Sequence, residues 1–73
     1  MATYREYAKE NGHTDAEIEE MVEGLFGADA EMVFARTEDG NAVYNMGNGY
    51  TLFTTSSFDV VEHENGESWN LEY

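Results

Sequence analysis

Cysteine and proline are absent from this chain of 73 residues, and Lys and Arg together number three. Without cysteine there is no disulfide, no thiolate chemistry and no sulfur-ligated zinc. Nothing in the composition then points to an oxidising compartment, and a cytoplasmic setting is the expectation. No run approaches the roughly eighteen apolar residues of a membrane span, and the opening Met-Ala-Thr-Tyr-Arg-Glu-Tyr lacks both regions of a signal peptide. A soluble chain with no membrane partner is expected. Arg5, Lys9 and Arg36 stand against sixteen acids, for a formal net charge of -13. Such a chain is repelled from DNA, RNA and anionic lipid, which argues against direct nucleic-acid binding.

What is present argues for folding. Hydrophobic residues make up 41% of the chain, and their spacing is periodic, which outweighs the charge that would otherwise suggest disorder. Thr14 with Glu17 three residues later forms a capping box, the signature of a helix start. Ile18, Met21, Val22, Leu25 and Phe26 then recur at helical spacing as one apolar stripe, and Gly27 supplies a stop. Gly24 on the polar side of this helix is either a tolerated defect or a place kept open for a partner's backbone. Thr3 and Glu6 form a second capping box for a short helix that ends near Asn11-Gly12. Residues 3–27 therefore read as a helical hairpin.

From Ala30 onward the period is two, and residues 30–73 read as antiparallel strands and turns. A three-residue loop at Glu38-Asp39-Gly40 sets Phe34 opposite Tyr44 and Met32 opposite Met46. A similar loop at Gly47-Asn48-Gly49 sets Met46 opposite Tyr50 and Tyr44 opposite Leu52. A two-residue turn at Asn65-Gly66 sets Val60 opposite Leu71, Phe58 opposite Tyr73 and Glu62 opposite Trp69. The inner face is then Met32, Phe34, Tyr44, Met46, Tyr50, Leu52, Phe58, Val60, Trp69 and Leu71. Val33, Ala35, Val43 and Phe53 alternate onto the outer face, with Asp59, Val61, His63, Ser68, Asn70 and Glu72 among its polar surroundings. The expected architecture is α+β: two N-terminal helices packed on one face of a five-stranded antiparallel β-meander, with residues 1–73 a single domain.

Enzymatic chemistry finds little support in these residues. The glycines at 47 and 49 lie between strands and make a hairpin, so they are no phosphate loop. Ser56, Ser57 and Ser68 sit in no nucleophile elbow, and His13 and His63 read as surface residues remote from each other. Asp39-Gly40-Asn41 lacks the alternating ligands and terminal glutamate of a calcium loop. No cofactor and no specific metal site are expected.

The charge pattern carries the functional reading. Asp15, Glu17, Glu19, Glu20 and Glu23 place five carboxylates in nine residues with no Lys or Arg among them, and Glu62, Glu64, Glu67 and Glu72 form a second cluster. Carboxylates three or four apart on a helix lie roughly 5 to 6 Å from each other. Such rows approach the charge density of a nucleic-acid backbone and compete for the same Lys and Arg.

In size, charge and lack of cysteine the chain is similar to the small acidic inhibitors of phages and mobile elements, some of which mimic DNA. That likeness implies an anti-CRISPR or anti-restriction type of binding protein, acting on a basic nucleic-acid-binding host protein or complex, as a monomer or homodimer. Two other readings remain open. One is a halophile's housekeeping module whose acidity serves solubility. The other is an interaction module using the outer sheet face around Val33, Val43 and Phe53.

Overall fold

Reciprocal capping boxes start both helices of this chain, whose computed structural model describes residues 2–72. In α1 (Tyr4–Glu10) the Thr3 hydroxyl accepts from the Glu6 N–H at 3.3 Å, and the Glu6 carboxylate accepts from the Thr3 N–H at 3.3 Å. In α2 (Asp15–Met21) Thr14 and Glu17 repeat the exchange at 3.3 and 2.9 Å. Each box satisfies two N–H groups that helical geometry leaves without partners.

The second helix is shorter than its apolar stripe suggests. It ends at Met21 with Val22 as cap, not at Gly27. Gly24 explains the stop, since its φ of +78° lies in the left-handed region where residues with a Cβ are strained. A Cβ there would meet nothing within 4 Å, so the backbone angle and not crowding calls for glycine. Leu25 and Phe26 still pack on the core from the turn that follows, and Phe26 meets Tyr4 and Tyr50 edge-on at 5.2 and 6.0 Å between ring centroids. Burial had the right residues, although the helical period did not reach them.

Five strands follow in the order of the chain: β1 (Val33–Glu38), β2 (Asn41–Gly47), β3 (Tyr50–Thr54), β4 (Phe58–His63) and β5 (Ser68–Glu72). Each pairs antiparallel with its sequence neighbour, giving the meander β1-β2-β3-β4-β5. The expected pairs Phe34 with Tyr44 and Tyr44 with Leu52 are present, but by another route. Both turns have two residues, Asp39-Gly40 and Asn48-Gly49, with positive φ throughout, as a type I′ turn requires. A bulge at Ala35 and another at Met46 then supply the missing residue, so the net offset equals that of a three-residue loop. Met46 occupies its bulge and does not pair with Tyr50, whose partner is Gly47. Met32 lies before β1, where neighbouring Glu31 bridges to Thr3, and both methionines are buried in the core.

The last hairpin departs from expectation by one residue. Its loop is Glu64-Asn65-Gly66, closed by the His63 N–H donating to the Glu67 carbonyl at 2.9 Å, with Gly66 at φ +99°. No bulge corrects the offset, so Val61 faces Trp69, Asp59 faces Leu71 and Glu62 faces Ser68. The expected pairs Val60 with Leu71 and Glu62 with Trp69 are absent, and the pair of Phe58 with Tyr73 lies outside the described residues. Because side chains alternate, a slip of one residue turns the whole of β4 over. Asp59 and Val61, expected outside, are fully buried, whereas Phe58 is 37% exposed and Val60 only half-buried. The corner before β4 enforces the same register, since the Thr55 hydroxyl accepts from the Phe58 N–H at 3.0 Å and so sets Thr54 opposite Asp59.

Helices and sheet share one core. Tyr4, Ala8, Ile18 and Val22 from the helical half pack with Met46, Leu52, Val61 and Leu71 from the sheet. Phe34, although on the inner face, lies beyond this cover at 59% exposure and rests edge-on against Tyr44. Among the described residues no helix is long and apolar enough to cross a membrane.

Candidate functional site

The acidic row of α2 and the turn that follows it is not a free row of five. Arg5, on α1, reaches across the helical hairpin and holds Asp29 through two hydrogen bonds of 2.8 and 3.3 Å, Asp15 at 2.9 Å, and Glu19. Lys9, one turn further along α1, holds the other oxygen of Asp15 at 3.2 Å. The relief absent along the helix thus comes from its neighbour. Sequence distance hid it, because the partners lie ten and fourteen residues apart and meet only when the hairpin closes.

These contacts set the ionisation of the cluster. Hydrogen bonds from Arg5 hold the carboxyls of Asp29 and Asp15 below the usual carboxylate range, with Lys9 adding to the effect at Asp15. Glu17 is held below its usual value by the Thr14 backbone N–H and hydroxyl of its capping box. The Arg5 guanidinium is shifted upward by its hydrogen bonds to Asp29 first, then Glu19 and Asp15.

Groups whose values are depressed in the folded chain contribute stability above the ordinary carboxylate range and lose it as pH falls through their lowered values. Stability is therefore expected to fall below about pH 4. An Arg5→Met chain should lose less over that limb, since the cause is gone at Asp15 and Asp29 and only the share of Glu17 remains. Urea unfolding followed from about pH 6 to pH 2 checks this, and parallel losses in the two chains would show that Arg5 is not responsible. The groups are exposed, so solvent screening keeps the difference modest.

The remaining carboxylates have different neighbours. Among the described residues Glu20, Glu23, Glu62, Glu64 and Glu72 have no Lys or Arg partner. Glu20 and Glu72 border one shallow groove, together with His13, Glu17, Met21, Asn70 and Leu71, so α2 and β5 each bring part of one acidic cluster to its rim. Glu19, Glu20 and Glu23 edge a second hollow beside Gly24 and Phe26. Glu62 and Glu64 edge a third at the hairpin tips. Glu67 is tied into its own turn by the Asn65 side chain, which donates to it at 2.9 Å.

Two side chains have roles that sequence reasoning missed. Asp59 is fully buried on the inner face, where its carboxylate accepts from the Tyr7 hydroxyl at 2.9 Å and so ties α1 to β4. The Thr55 corner was the available signal for its direction. His63 is half-buried and joins two hairpin tips: Nδ1 accepts from the Asn65 N–H at 3.2 Å, Nε2 lies 3.0 Å from the Asn48 carbonyl, and the ring packs at a tilt against Tyr50, 4.4 Å between centroids. With Nδ1 accepting, Nε2 is the nitrogen that donates. This imidazole is structural. Among the described residues no group of three or more acidic or His side chains is arranged to hold a metal ion.

Compared with protein-family models, with curated proteins and with solved structures, the chain matches none.

Proposed function

We propose that the chain is a small acidic inhibitor that occupies the basic nucleic-acid-binding surface of a host protein, in the manner of a phage or mobile-element product. The observation that supports this reading is the fate of the three cations. Arg5, Lys9 and Arg36 are all engaged within the chain, by Asp15, Glu19, Asp29 and Glu38, which leaves carboxylates and almost no competing positive charge for a partner to meet.

Glu20 of α2 and Glu72 of the edge strand β5 both border one groove, with Glu23 just past the helix end. Carboxylates held on a folded scaffold compete for Lys and Arg without the entropy cost of ordering a flexible acidic tail. The proposed mechanism is binding, not catalysis. The basic groove of a nuclease, polymerase or CRISPR effector would take this surface in place of its own substrate.

A tagged chain used as bait in a bacterial lysate at about 0.1 M salt tests the reading, followed by washes with duplex DNA or with salt near 0.5 M. Retention of a basic nucleic-acid-binding protein that DNA displaces is the expected result. A partner indifferent to both washes overturns it. A bait that unfolds at about 0.1 M salt and recovers in molar KCl points instead to acidity kept for solubility.

A further inference from the structure

The slip in the last hairpin gives β4 an inverted pattern, with a carboxylate in the core and two large apolar side chains outside. Moving the strand by one residue would bury Phe58 and Val60 and return Asp59 to water, yet both turns flanking β4 hold it in the present register. Local patterning is broken in this way chiefly where a surface is used.

Register brings the apolar groups of this face into line. Val43, Phe53 and Val60 are successive partners across β2, β3 and β4; Val43 is buried, Phe53 and Val60 are half-buried, and the exposed Phe58 lies two residues from Val60 on the same face. The adjacent row, Asn45, Thr51, Glu62 and Ser68, is polar. The apolar surface open to a partner is therefore Phe53, Val60 and Phe58 on the neighbouring strands β3 and β4, one strand spacing of about 5 Å across, a strip that suits the apolar side of one helix and is too narrow for a second sheet. Carboxylates of Glu62 and Glu72 stand on the same face, and its Arg36 is already committed to Glu38 at 2.7 Å and lies 5.8 Å over the Phe53 ring.

We propose that this face docks an amphipathic helix of the target protein whose apolar side is flanked by Lys or Arg. Charge selects the occupant. A second copy would bring another net charge of -13 and its own glutamates against these. The surface rests on the reading that the target is basic, and adds where and by what chemistry it is gripped.

The test is a titration of the isotope-labelled full chain, at about 0.1 M salt, with an amphipathic Lys/Leu helical peptide and with a Lys/Ser peptide of equal charge. Amide shifts centred on Phe53, Phe58 and Val60 are expected with the first peptide and not with the second. Val60→Thr and Phe53→Ser should each weaken the Lys/Leu peptide about tenfold or more. If Phe53→Ser fails to fold, the half-buried Val60 carries the comparison alone.

Shifts confined to the α2 carboxylates, or equal affinity for the Val60→Thr chain, overturn the proposal. So does a dimer in sedimentation that Val60→Thr dissociates, since a second copy then covers the face. DNA-displaceable capture of a basic protein that persists when the peptide fails removes only this surface. Peptide binding without such capture removes the inhibitor reading and leaves the surface.

Discussion

Leu52→Ala is expected to lower stability by about 3 kcal/mol, within the range for emptying a fully buried leucine site. Leu52 has no exposed surface and sits at the centre of the sheet, between Tyr44 on β2 and Val61 on β4 and beneath the helical half of the core. A domain of this length has roughly 4 to 11 kcal/mol in total, so the loss is a large fraction of it. The midpoint of thermal unfolding should fall by roughly 10 to 25 °C. Phe34→Ala makes the matching control. It removes a larger side chain, but one that is 59% exposed and outside the helices' cover, and a change within about 0.5 kcal/mol is expected. Circular dichroism melts of the two variants check the pair. Equal losses would mean that the cover extends over β1.

Reversing Glu20 and Glu23 to Lys together is expected to abolish DNA-displaceable capture of the target while leaving the melt nearly unchanged. The choice of residues matters. Asp15 and Glu19 share the row, but both are ligands of Arg5, and a reversal there would place cations against a guanidinium and disturb the helical hairpin. Glu20 and Glu23 are exposed and have no such tie among the described residues, so a change in binding reports on the partner surface itself. Two reversals change the local charge by about four units. The rate of association with a basic groove should fall tenfold or more at low salt, with the difference shrinking as salt rises. Undiminished capture by a folded double mutant would remove α2 from the proposed surface.

Local chemistry was legible where one short segment decides it. Thr3 with Glu6 and Thr14 with Glu17 announce their helices because a capping box involves only four residues, and the meander follows from turn residues spaced between alternating runs. Where two segments decide together, the reading was incomplete. A two-residue turn with a bulge and a three-residue loop give the same offset, so Phe34 and Tyr44 could be matched for an incomplete reason. Asn65-Gly66 fits two loop lengths, and nothing in that hairpin alone selects between them. The choice is made at the other end of β4, by the Thr55 hydroxyl.

Arg5 illustrates the same limit for the candidate site. Its three acidic partners come from α2 and from the loop beyond it, and helical spacing predicts only pairs within one helix. The carboxylates that remain as candidates are those the fold leaves over. That remainder can be counted only after the hairpin has closed.

Connectivity also governs how quickly this arrangement can form. Every strand finds its partner across a turn of a few residues, so the loops that must close are short and their entropic cost is small. The chain has no prolyl bond whose isomerisation could delay it. A long closure is the one between Tyr7 and Asp59, 52 residues apart, which joins the helical half to the sheet. Refolding in one fast exponential is the kinetic outcome expected. The step that completes the core is then the docking of α1, so variants at the Tyr7 to Asp59 bond should speed unfolding far more than they slow folding.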